Sequence, residues 1–143
     1  MKKIFWQCML PMVLWVITAC KKEKEIVGKS PSQLLTDNEW ILFSIGFDVN
    51  NNGVIDNSEE LIKDCEKDNT IKFVSDGRGF FLDKGITCGG LLENNFYWKF
   101  VDNNTGIEIE AFTISIMKLD ENEFIYTPKL EGLTPILIIH YRH

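Results

Sequence analysis

The stretch Phe96-Tyr97-Trp98-Lys99-Phe100-Val101-Asp102-Asn103-Asn104-Thr105-Gly106-Ile107-Glu108-Ile109 decides the fold class. Apolar side chains at 96, 98 and 100, and again at 107 and 109, alternate with Tyr97, Lys99 and Glu108, the period-two pattern of strands with one buried face. The Asp/Asn/Gly run between them has the composition of a tight turn. Working outward, the same alternation recurs at Ile41, Phe43, Ile45 and Phe47 (against Leu42, Ser44 and Gly46), at Ile71-Phe73, at Phe112-Ile114-Ile116 and at Phe124-Tyr126. Ser75-Asp76-Gly77 and Asp120-Glu121-Asn122-Glu123 supply further turns. The last run, Pro135 to Tyr141, is apolar on both faces and predicts cover on both sides. Only one or two turns near Ser58 to Glu66 have helical composition. These runs predict an all-β domain, a small antiparallel up-and-down barrel of about eight strands with at most a short helix, because closure removes exposed edges. A two-sheet sandwich is the alternative.

A chain of 143 residues with ten Phe, four Trp and three Tyr has the material for one packed core. Its 15 basic residues face 21 acidic ones. Nucleic acid is excluded as a partner by that balance and by the lack of any basic patch interleaved with aromatics.

Lys2-Lys3 followed by the apolar run Ile4 to Ile17 reads as a secretion signal, since the run is shorter than the roughly 20 residues a membrane-spanning helix needs. Ile17-Thr18-Ala19-Cys20 resembles the bacterial lipobox, which implies cleavage after residue 19 and lipidation of Cys20. Several acyl chains, each methylene contributing about 0.8 kcal/mol in a bilayer, make a stable anchor. Residues 20–33, with Lys21-Lys22-Glu23-Lys24-Glu25 and then Val27 to Ser32, are charged and breaker-rich and read as a flexible tether. The charged residues after Cys20 resemble the export signals of Bacteroidetes surface lipoproteins, which implies a place in the cell envelope at the outer membrane. The domain itself is expected over 34–143.

Once Cys8 leaves with the signal and Cys20 is lipidated, Cys65 and Cys88 remain, and a disulfide between them leaves no odd thiol in an oxidising compartment.

The sharpest constellation is Asp48-Val49-Asn50-Asn51-Asn52-Gly53-Val54-Ile55-Asp56-Asn57-Ser58-Glu59. Counting from Asp48, it matches the twelve-residue calcium loop of EF-hands: side-chain oxygens from Asp48, Asn50 and Asn52, the Val54 carbonyl, Asp56 directly or through water, and both oxygens of Glu59. Gly53 permits the sharp turn at position six. The element before it reads as a strand, so a single structural calcium loop grafted between a strand and a short helix is expected; a solvated Asx-rich connection is the alternative.

Leu34-Leu35 and Trp40-Ile41-Leu42, the Asp/Asn-rich insertion, Cys65-Glu66-Lys67-Asp68, Ile71-Lys72-Phe73, Asp76-Gly77-Arg78-Gly79, Cys88 and Tyr97-Trp98-Lys99-Phe100 together resemble the lipocalin-like domains of Bacteroidetes lipoproteins. The resemblance implies a barrel and a ligand cavity, here for a small apolar or amphipathic ligand, for which Trp40, Trp98 and Phe100 are the candidate lining; packing in the core is the alternative for these aromatic residues at period two. No catalytic set stands out: His140 and His143 are expected on opposite strand faces, Glu108 and Glu110 on a solvent face, and the disulfide takes up the Cys88 thiol. The expected function is therefore a non-enzymatic, lipid-anchored binding module. A protein-interaction or inhibitor scaffold without a small-molecule ligand is the alternative.

Overall fold

A computed structural model describes residues 28–86, 88–89, 93–132 and 134–143. The signal, Cys20 and most of the expected tether lie outside the described residues.

Eight strands follow in order: β1 (Glu39–Asp48), β2 (Thr70–Phe73), β3 (Arg78–Leu82), β4 (Glu93–Val101), β5 (Gly106–Ile109), β6 (Phe112–Leu119), β7 (Glu123–Pro128) and β8 (Ile136–Arg142). Each pairs antiparallel with the next, and β8 returns to β1 over the register Ile41↔Arg142 to Asp48↔Ile136, so the sheet closes into a lipocalin-like up-and-down barrel. Turn chemistry fits the sequence. Gly77 takes φ +88° between β2 and β3, and the three residues Asp102, Asn103 and Asn104 between β4 and β5 all adopt left-handed φ, which Asn and Asp tolerate best after glycine.

β3 is the strand that the alternation pattern does not mark. Its Gly79 leaves an empty inward position, and the Phe96 ring from β4 fills it, so an added Cβ there would meet that ring. The inward side chains of the barrel are mainly aromatic and aliphatic. Trp40, Ile71, Phe73, Phe124, Ile107 and Ile114 are wholly buried, and Phe73 contacts the rings of Phe96, Trp98 and Phe124 at centroid distances of 5.3 to 5.8 Å.

Among the described residues one helix, α1 (Pro31–Asp37), precedes the barrel. It begins inside the segment expected to be tether, and Ser30-Pro31-Ser32-Gln33 turns out to be its start. Ser30 Oγ accepts from Gln33 N–H (3.3 Å), Gln33 Oε1 accepts from Ser30 N–H (2.9 Å), and proline stands at the first helical position. Seven residues do not make a stable helix alone. Burial of Leu35, the Trp40 Nε1–H bond to the Leu35 carbonyl (3.0 Å) and contacts with both β2 and β6 hold it across one end of the barrel. The helix expected near Ser58 to Glu66 is only a 3₁₀ turn at Asp64–Glu66.

β1 changes face midway. A bulge between Leu42 and Ser44 leaves Phe43 unpaired. Trp40 and Leu42 therefore point inward, Ile41 and Phe43 outward, and beyond the bulge Ile45 and Phe47 turn inward opposite Ile139 and Leu137. The single buried face expected for Ile41, Phe43, Ile45 and Phe47 is thus split. Outside the barrel, the long β1–β2 connection lies against the wall. Glu60 bridges to Gly46, Leu61 N–H reaches the Ile45 carbonyl (2.7 Å), and the outward Ile138 is 2% exposed. This is the second cover that the two-sided apolar β8 requires.

Candidate functional site

The Asx-rich loop begins where β1 leaves the sheet. Asp48, 3% exposed, accepts from Asn52 N–H through Oδ1 (3.0 Å) and from Gly53 N–H through Oδ2 (2.9 Å). Glu59, 9% exposed, reaches back across the loop: Oε1 accepts from Val49 and Asn50 N–H (2.8 and 3.2 Å) and Oε2 from Asp56 N–H (3.1 Å). Asn50 and Asn52 each accept a backbone N–H two residues on, at 2.9 Å, and both donate through Nδ2 to Asp56 Oδ2, at 2.8 and 3.3 Å. Gly53, at φ +82°, and Asn51, at φ 57°, make the reversal. The first and twelfth residues of the motif are therefore buried, and Glu59 ties the end of the loop to its start. Among the described residues no Lys, Arg or His lies within 4 Å of the carboxylates of Asp48, Asp56 or Glu59, and no group of three His, Cys, Asp or Glu side chains forms a metal cluster.

Cys65 and Cys88 are joined, with Cα atoms 5.4 Å apart. The bridge ties the β1–β2 connection to the β3–β4 connection at the barrel end opposite α1. Beside it is a cavity of about 270 Å³. Its apolar walls are Leu42, Phe81 and Tyr141; Asn69 and Asp83 also line it, each with a buried Oδ1 that has no hydrogen-bond partner among the described residues. The chain matches no protein-family model and no curated protein.

Trp40, Trp98 and Phe100 sit deeper. Trp98 packs edge-on against Phe100 (5.4 Å) and donates Nε1–H to the Val74 and Arg78 carbonyls, while Trp40 lies across the interior against Phe124 (5.8 Å). These are packed core positions, and the mouth cavity is bordered by other residues. Tyr126 and Tyr141 stack at 6.1 Å within the same core, and burial pushes the Tyr141 hydroxyl up to about 12 and that of Tyr126 well above 10. The sequence reading placed both tyrosines on strand runs, Phe124-Tyr126 and Pro135 to Tyr141, but gave neither a part in a site. On the outer wall His140 Nε2 lies 3.2 Å from Glu123 Oε1 without the alignment of a hydrogen bond, and burial lowers its pKa. His143 is near Trp40 instead, at 6.1 Å.

Proposed function

We propose that this chain is a lipid-anchored envelope protein, akin to the lipocalin-like domains of Bacteroidetes lipoproteins. On this reading its barrel binds a small apolar or amphipathic ligand without catalysis, and a calcium ion in the Asp48–Glu59 loop stabilises it. The observation that carries ligand binding is the polarity of the barrel: α1 stops one end, while the other holds the mouth cavity with apolar walls and two acceptors that have no partner among the described residues. That combination is the usual composition of a ligand pocket, and about 270 Å³ suits a ligand near the small end of the common range of about 300–1,000 Å³. Calcium is supported by the chemistry of the donor set. Three carboxylates, two of them buried, have only N–H groups for partners, and the remaining donors, Asn50, Asn52 and the Val54 carbonyl, are the oxygen ligands a hard cation takes. Calcium would supply the counter-charge that no basic side chain among the described residues provides.

The test is displacement of a polarity-sensitive fluorophore from the full chain. Binding is expected in the native protein and loss of binding in Leu42→Trp, which fills the cavity. Absence of binding in the native protein would favour the scaffold reading, which the filled aromatic core supports. Palmitate labelling that disappears in Cys20→Ala tests the anchor.

A further inference from the structure

Outside the barrel, the bulged Phe43 ring is stacked under the Arg142 guanidinium, 3.4 Å from the ring centroid. Phe43 is 47% exposed and its neighbour Ile41 46% exposed, although both sit on a strand whose other face is core. Arg142 has no side-chain hydrogen bond among the described residues. Glu123 forms an ion pair with Nε at 3.6 Å, too long for a hydrogen bond. An arginine presents a planar fork of donors matched to a carboxylate, and here the fork is held flat by an aromatic ring with its donors unspent. Next to it opens a cavity of about 450 Å³ lined by Ile41, Leu42, Phe43, Lys67, Arg142 and His143. Among the described residues Arg142 and Lys67 are its charged lining and no acid is, although Lys67 Nζ is paired with Asp64 (2.7 Å), in a chain of net charge −6. The other outer-wall cavity, under the Gly53–Ile55 segment, shares Phe43 and Arg142 but has Glu123 in its wall, which disfavours an anion there.

We propose that this outer-wall notch is a second binding site, distinct from the barrel mouth, for a small amphipathic carboxylate. The carboxylate pairs with the Arg142 fork, Lys67 adds long-range attraction, and the apolar body lies on Ile41 and Phe43. The bulge in β1 then has a purpose: it adds one outward aromatic residue to the strand, which both seats the arginine and forms the floor of the notch.

The experiment is a titration of the full chain with 4-butylbenzoate and with its neutral counterpart 4-butylbenzamide, followed by amide chemical shifts. The benzoate is expected to shift Ile41, Phe43, Lys67 and Arg142 and to bind at least tenfold tighter than the benzamide. Arg142→Gln should remove that discrimination and leave benzamide affinity unchanged, and Arg142→Lys should not restore it. If Arg142→Gln does not fold, Lys67→Gln, which alters a mainly exposed side chain, should weaken benzoate severalfold and benzamide not at all. Equal affinity for the two probes would overturn the proposal, as would shifts confined to Phe81 and Tyr141, which would instead place binding at the barrel mouth.

Discussion

Gly46→Ala is a small change with a large expected effect, because the β1–β2 connection packs on the outer wall at the one position where β1 has no side chain. An added Cβ would run into the Glu59 carbonyl oxygen and stand 2.7 Å from Ile55 Cγ2. The first obstacle is backbone and cannot rotate away, so the segment around Glu59 has to retreat by roughly 1 Å, an overpacking cost of about 1–3 kcal/mol. Three bonds depend on its present position: Leu61 N–H to the Ile45 carbonyl (2.7 Å), Ser44 Oγ–H to Glu60 Oε2 (2.6 Å) and Ile45 N–H to Glu60 Oε1 (3.0 Å). Bonds of this kind contribute about 1 kcal/mol when neutral and up to about 3 when one partner is charged, and water recovers part of the loss in this half-exposed segment. A net destabilisation of about 3 kcal/mol follows, which for a domain of about 110 residues lowers the melting temperature by roughly 12 °C. Urea unfolding followed by tryptophan fluorescence measures it, with Gly28→Ala, where nothing lies within 4 Å, as the control. A Gly46→Ala protein within about 0.5 kcal/mol of the native one, the scatter of ordinary surface changes, would mean that the connection does not rest on the wall.

Replacing Cys65 and Cys88 by serine opens a cross-link between residues 23 apart and should cost about 3 kcal/mol in urea unfolding; unchanged stability, or free thiols in non-reduced native peptides, would contradict it. If Asp48–Glu59 takes calcium with a dissociation constant of about 10⁻³ M, calcium at ten times that level adds about 1.4 kcal/mol. The melting temperature should then rise in calcium over chelator and stay flat in Glu59→Gln; a native protein indifferent to calcium would refute the site. The burial of Tyr126 and Tyr141 raises their pKa values above the unfolded value of 10, so the stability they contribute is complete below pH 10 and is lost as pH climbs from 10 towards about 12. Tyrosinate absorbance from this pair should appear together with unfolding, and ionisation near pH 10 with the fold intact would show the pair to be solvated.

The strands were legible wherever an inward side chain is large. Phe96, Trp98 and Phe100 and then Ile107 and Ile109 mark β4 and β5 because every second residue must fill the barrel. β3 was hidden because one of its two inward positions is Gly79, whose space belongs to Phe96, which leaves Phe81 alone to mark the face. The bulge at Phe43 was equally invisible, since Ile41, Phe43, Ile45 and Phe47 keep unbroken alternation in sequence while the backbone adds an unpaired residue. At the loop, the spacing of Asp48 and Glu59 picked out two side chains that are buried and that each bind backbone N–H groups of the loop. The outer-wall notch had no sequence signal, because Lys67 and Arg142 are brought together only by the tertiary fold.

The pairing of the first strand with the last has a temporal consequence. β1 spends most of its length hydrogen-bonded to β8, from Ile41 to Asp48, and meets β2 over only three residues. Until the final residues are available, the nascent chain has two open edges, at β1 and β7, and neither can be satisfied locally. Loop-closure entropy across nearly the whole domain must be met in a single step, which places this barrel among the slower folders and makes the incomplete chain the form most prone to aggregate. A deletion of β8 would therefore do more than remove one strand out of eight: it would leave a curled sheet whose longest strand keeps only three residues of pairing.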